Sequence, residues 1–132
     1  MIWLLDTNVL IHAVHGRPPG VRAHLQRQSP EDVAVSSITV AELWYGADRS
    51  VNPARKRDAW RTALEPFEII AFDRNAAEQH ARIRHLLRHR PIGERDLLIA
   101  SIALARDLTL VTHNAAEFSR VPQLRVEDWV ET

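Results

Sequence analysis

The sequence predicts an α/β protein built on a short, mainly parallel sheet of four to five strands with helices on both faces. Three observations carry this. Apolar runs at residues 2–5, 33–35, 67–72 and 108–111 have strand length and little polar alternation, as strands buried on both faces do. The segments between them space their apolar residues at helical intervals. Strands and helices alternate along the chain, which argues for parallel strands joined by helical crossovers. With 132 residues and no repeat, linker or low-complexity tract, residues 1–132 read as a single domain, large enough to bury roughly two-thirds of its unfolded surface.

Each element follows from its own residues. Ile2-Trp3-Leu4-Leu5 is the first strand and runs straight into Asp6-Thr7-Asn8. A short helix covers residues 7–15 and ends near Gly16. Pro18-Pro19-Gly20 is a turn, and residues 21–28 form a second helix with Val21 and Leu25 at helical spacing. Ser29-Pro30-Glu31-Asp32 breaks it ahead of the second strand. Ser36-Ser37 then leads into a helix from Thr39 to about Gly46 that carries Val40, Leu43 and Trp44. Residues 48–53 are polar and turn-rich, and 54–64 form an Arg-rich helix that stops before Pro66. The third strand is followed by a long helix over residues 73–89, capped by Asp73. Pro91-Ile92-Gly93 interrupts the chain before a mostly buried helix over 94–106 with Leu97, Leu98, Ile99 and Ile102. After the fourth strand, residues 114–118 make a helical turn and 124–126 a weak fifth strand.

Composition narrows the function only loosely. Hydrophobic content of 45% and charged content of 26% are ordinary for a globular protein, and the formal net charge is zero. Nothing global therefore announces a nucleic-acid partner. The basic residues are sixteen Arg and one Lys, Lys56. Arg suits bidentate phosphate contacts, although a GC-rich genome produces the same bias. The absence of Cys excludes disulfides, thiolate nucleophiles and zinc–thiolate sites. The first apolar run is too short for a signal peptide and no membrane span is apparent, so a cytoplasmic location is expected.

Four acids fall where a strand feeds a helix or in a helix's first turn: Asp6, Glu42, Asp96 and Glu117. Each has an ordinary explanation. Asp6 or Thr7 fits a helix N-cap. Thr39 to Glu42 and Asn114 to Glu117 fit capping boxes, and Asp96 suits the macrodipole of its helix. Together they mean more. In a parallel sheet the strand C-termini and following helix N-termini share one edge, and four carboxylates there repel one another unless a cation intervenes. Mg²⁺ or Mn²⁺ suits such a site, because it accepts few protein carboxylates and keeps positions for water and substrate phosphate. A metal held this way activates water and clamps phosphate during in-line displacement.

At these residues the chain resembles a known family. LLDTNVLI, SSITVAELWYGA, RPIGERDLLIASIALARDLTLVTHNAAEF and the closing RVEDW look like the PIN-domain ribonuclease toxins of VapBC toxin–antitoxin systems, from residue 2 to about 129. The resemblance implies a PIN-like three-layer α/β/α sandwich and a Mg²⁺-dependent endoribonuclease (Mn²⁺ as substitute). It implies a catalytic set of Asp6, Glu42, Asp96 and Glu117, with Asp6 and Asp96 as metal ligands. The fourth position is open, since some relatives carry an acid where this chain has Asn114. Thr7, Thr112 and Asn114 would orient ligands or substrate. Further implications are RNA hydrolysis to a 3′-hydroxyl and a 5′-phosphate, tRNA as the foremost substrate class, a VapB-like antitoxin partner, and a homodimer with Trp44 and Tyr45 near its contact. Core packing is the ordinary role for those two aromatics.

Basic side chains qualify this picture. Arg82, Arg84, Arg88, Arg90 and Arg95 lead towards Asp96 and read either as a solvated helix face or as a phosphate-binding rim, with Arg90, Arg95 and His113 as RNA-contact candidates. His85 and His89 are spaced i, i+4, but no third ligand stands out, so a zinc site is not expected. Two rival functions remain: a catalytically inactive PIN-type domain that binds RNA or a partner, and a receiver-like signalling domain. A receiver needs a Lys at its last strand, whereas Lys56 lies mid-chain.

Overall fold

The computed structural model describes residues 1–130. Five short parallel strands form one sheet: β1 (Trp3–Leu5), β2 (Val33–Ser36), β3 (Glu68–Ile70), β4 (Thr109–Val111) and β5 (Val126–Glu127), in the order β3-β2-β1-β4-β5. β1 is central and pairs in register with both neighbours, Leu4 facing Ala34 on one side and Leu110 on the other. β1, β2 and β4 are thus buried on both faces, as their unbroken hydrophobicity predicts.

Among the described residues seven α-helices cover the sheet: α1 (Thr7–His15), α2 (Pro19–Gln26), α3 (Ser37–Asp48), α4 (Pro53–Leu64), α5 (Arg74–Leu86), α6 (Glu94–Ala105) and α7 (Ala115–Phe118). The two faces hold separate cores because strand side chains alternate. Leu4, Ala34 and Leu110 point to a cluster with Ile83, Ile99, Ile102 and Phe118, whereas Leu5, Val35 and Val111 point to one with Val9, Leu43, Trp60 and Trp129. The result is the expected three-layer sandwich. No helix among the described residues is long and apolar enough to cross a membrane.

Several boundaries differ from expectation for identifiable reasons. α2 begins at Pro19, so Pro19-Gly20 is helix rather than turn; Pro fits the first helical position because its missing N–H has no partner there. α3 begins at Ser37 and runs past Gly46. Its cap is Ser36, whose side chain accepts from the Thr39 N–H at 3.1 Å, so Thr39 and Glu42 do not form a capping box. α5 is capped by Asp73 as predicted but ends at Leu86, which leaves His89 off the helix and out of i, i+4 register with His85. β3 shrinks to Glu68–Ile70, an edge strand exposed at two of its three residues.

Candidate active site

Asp6 ends β1 at the centre of the sheet, and its backbone N–H donates to Val111 O at 2.9 Å. Its side chain does two jobs. Oδ1 accepts from the Thr7 N–H at 2.8 Å, which starts α1, and Oδ2 accepts from the Thr112 hydroxyl at 2.8 Å. Thr112 is itself fixed, because its Oγ1 accepts from the Asn114 N–H at 3.0 Å. The carboxylate is held from both sides.

Glu42 is reached by a chain of hydroxyls. Thr7 Oγ1 donates to Glu42 Oε1 at 3.1 Å and lies 2.9 Å from Thr39 Oγ1, and Ser36 Oγ donates to Thr39 Oγ1 at 3.4 Å. A hydroxyl has one proton, so with Thr7 donating to Glu42, Thr39 donates to Thr7. The series Ser36→Thr39→Thr7 therefore runs one way and ends on the carboxylate, in buried surroundings where such bonds reinforce one another. Glu42 Oε2 accepts from Arg95 Nη1 at 3.0 Å, and Arg95 is otherwise largely exposed.

Asp96 sits in the first turn of α6, whose cap is Gly93. Helix position favours its charge, yet its carboxyl is pushed up to about 6, by burial first and then by repulsion from Asp6 and Glu117. Asp6 is also raised; burial outweighs its two hydrogen bonds, and Glu42 and Glu117 add repulsion. Glu117 is shifted the other way, held down by the Gly93 N–H at 2.9 Å and the Asn114 amide at 2.7 Å. The Asn114–Glu117 capping box does not form: the Asn114 side chain caps no helix N–H, and its Nδ2 donates to the Glu117 carboxylate.

Asp6, Thr7, Asn8, Glu42, Gly93, Glu94, Arg95, Asp96, Leu98 and Asn114 line one open cavity of ≈ 760 Å³. Three of the four predicted acids line this cavity. Glu117 stands beside Asp96 at its margin, close enough to bond and repel that carboxyl, while it also accepts from the Gly93 N–H, and Asn114 faces the cavity next to it. His113 lies in a smaller adjoining cavity of ≈ 270 Å³ with Asp6, Asn8, His12 and Asn114, its Nδ1 3.1 Å from Asp128 Oδ2. Arg90 is exposed and does not line the pocket. Trp44 is half-buried under the guanidinium groups of Arg57 and Arg61, while Tyr45 is 63% exposed. Lys56 packs over Trp60 on α4, away from the pocket, which removes the receiver-like reading. Ser36, Thr39 and Asn8 escaped sequence reasoning; the S-x-x-T spacing at the end of a strand was the available signal for the first two.

The donor set fits a hard divalent cation. Asp6 and Asp96 are like-charged, partly desolvated and in one cavity, an arrangement that a cation relieves. Among the described residues no group of three acids or histidines closes around a single point. Two carboxylates with the remaining positions left to water and phosphate is the binding mode of Mg²⁺.

A family model described as PIN domain matches residues 3–124. Ribonuclease VapC2 of Rickettsia felis is 36% identical over 132 residues, covering 98% of each chain. The tRNA(fMet)-specific endonuclease VapC of Salmonella typhimurium is 35% identical, covering 96% of this chain and 97% of its own. The crystal structure of VapBC2 from Rickettsia felis bound to a DNA fragment from their promoter superimposes with a TM-score of 0.89 at 36% identity, over 98% of this chain and 99% of that one.

Proposed function

This chain belongs to the VapC group of PIN-domain proteins, and on that premise we propose that it is a Mg²⁺-dependent endoribonuclease, the toxin of a toxin–antitoxin pair. The observation that carries the reading is the Asp6–Asp96 pair in one cavity, both carboxyls lifted by burial first and then by repulsion from neighbouring acids. These two residues would hold the ion, with Mn²⁺ as a substitute. When bound, it lowers the pKa of water and neutralises phosphate charge.

The chain's own residues do the rest. Thr112 and the Thr7 N–H hold Asp6 in one orientation, the kind of support that tunes a ligand carboxylate. Glu42, oriented by the hydroxyl series, would accept a proton from water beside the scissile phosphate. Arg95 reaches that carboxylate from the rim and has the exposure to move to a phosphate oxygen. Asn114 and Asn8 offer neutral hydrogen bonds on the cavity wall.

Relatives named as tRNA(fMet)-specific make tRNA the substrate class to try first, and the VapBC complexes point to a VapB-like antitoxin. Glu42 already accepts a guanidinium from Arg95, so an antitoxin Arg is a suitable plug for the same acids. Incubating purified protein with total tRNA across a Mg²⁺ titration tests the reading, and cleavage products should carry 3′-hydroxyl ends.

A further inference from the structure

The acidic cavity is poorly equipped to attract RNA. Arg95 is the one cation in its lining, and Glu42 already engages it. Affinity for a polyanion has to come from elsewhere. Beside the cavity lies a groove of ≈ 220 Å³ between α5 and α6, which shares Glu94 with it and continues over Pro91 and Ile92 to His80 and Arg84. A second groove of ≈ 410 Å³ shares His80 and Arg84 with the first and adds His85 and Arg88. The three depressions follow one another through these shared residues, acidic at one end and basic at the other.

The basic end is unneutralised. Among the described residues no carboxylate pairs with Arg84 or Arg88. Arg88 Nη1 donates to His85 O at 2.8 Å and helps close the helix end, whereas no described residue bonds the Arg84 guanidinium. His80 is held edge-on against Phe72 at 5.8 Å. The dipole of α5 favours cations in its last turn, which accounts for Arg84 and His85 but not for Arg88 beyond the helix. Nor does it explain why four cationic or imidazole groups gather on a groove leading to the acids. Two guanidinium groups facing one furrow repel each other until an anion separates them.

We propose that this furrow is the track of the substrate's sugar–phosphate backbone. A single-stranded stretch flanking the cleaved phosphodiester runs from the Asp6–Asp96 cavity over Pro91 to Arg84. There the guanidinium of Arg84, with Arg88 and His80 beside it, holds a flanking phosphate. The inference rests on the ribonuclease reading for what occupies the cavity itself.

The test uses fluorescein-labelled 2′-O-methyl oligonucleotides, which resist cleavage, and binding read by anisotropy in EDTA. The probes are a decanucleotide and a trinucleotide. Arg84→Ala/Arg88→Ala should weaken the decanucleotide about tenfold and flatten its salt dependence by roughly one to two phosphate contacts. It should leave the trinucleotide unchanged and lower the melting temperature only slightly, through the lost bond to His85 O, and Arg84→Lys/Arg88→Lys should restore most of the affinity. Arg57→Ala/Arg61→Ala, equal in charge loss but on another face, should bind as wild type. In cleavage of a long substrate the first variant should raise KM with kcat nearly constant. An unchanged salt slope, or an equal loss in the Arg57/Arg61 control, overturns the track. Track-dependent binding without any cleavage by wild type would leave the track standing and remove the ribonuclease reading. Cleavage with an unchanged KM in the Arg84/Arg88 variant would do the reverse.

Discussion

Glu117 Oε1 accepts the Gly93 N–H at 2.9 Å and so ties α7 to the cap of α6, the helix that carries Asp96. This makes Glu117 a positioning residue: it sets the Gly93 loop, and through repulsion it helps hold Asp96 high. Glu117→Gln keeps an acceptor for Gly93 and removes a negative charge. It should retain cleavage within about tenfold, because the loop stays tied. Glu117→Ala should lose more and show faster amide exchange at Gly93 than Glu117→Gln. Equal exchange in the two variants would mean the tie does not hold the loop.

Thr112 is fully buried and its hydroxyl serves both Asp6 and the Asn114 N–H. Thr112→Val matches its shape and leaves a buried carboxylate oxygen and an N–H without that partner. The expected cost is about 1–3 kcal/mol of stability and roughly 10–100-fold weaker Mg²⁺ binding, as for lost support of a metal ligand. Isothermal titration calorimetry with denaturant melts measures both.

Asp6 and Asp96 make metal-free stability depend on pH in an unusual direction. Both carboxyls lie above the ordinary value of 3.8 in the folded protein, Asp96 at about 6. The folded state therefore binds more protons than the unfolded state between those values, and stability rises as pH falls through about 6. Glu117 is lowered and works oppositely, but only below its ordinary 4.5. In EDTA, wild type should gain about 1 kcal/mol relative to Asp96→Asn between pH 7.5 and 5, after allowing for solvent screening of a half-buried group. Parallel melting curves for the two proteins across that range would contradict the shift.

Tyr45 is the cleaner probe of self-association, since Trp44 also contributes to the core around Leu43 and Val9. If α3 meets a second copy there, Tyr45→Ala should weaken the dimer by about tenfold or more, as loss of an aromatic anchor does, without lowering the melting temperature. Sedimentation equilibrium distinguishes this from a surface that meets nothing.

Much of this architecture was legible because hydrophobic period and charge are local signals. The run Ile2-Trp3-Leu4-Leu5 ending on Asp6 announced both a buried strand and the candidate site at its end, and the recurrence of acids after later strands located the pocket edge. Hidden features were those that depend on which partner a versatile group chooses. Thr39 and Glu42 have the spacing of a capping box, but Ser36 takes the cap and frees Glu42 for the cavity. Asn114 and Glu117 have the same spacing and bond each other instead. Pro18-Pro19-Gly20 reads as a turn until α1 packs against it and α2 starts at Pro19. The hydroxyl series to Glu42 joins residues 36, 39 and 7, a juxtaposition that only sheet order β2-β1 creates.

The central claim is that Asp6 and Asp96 together hold a divalent cation for RNA cleavage. Its most direct test is cleavage of total tRNA by wild type and Asp96→Asn, each titrated with Mg²⁺ from an EDTA-treated start, with Mg²⁺ or Mn²⁺ binding measured in parallel. Wild type should be silent in EDTA and regain activity with the metal. Asp96→Asn should stay folded, bind the ion at least tenfold more weakly and cleave about 10³-fold more slowly. Cleavage by wild type in excess EDTA, or full activity and metal affinity in Asp96→Asn, would contradict the account.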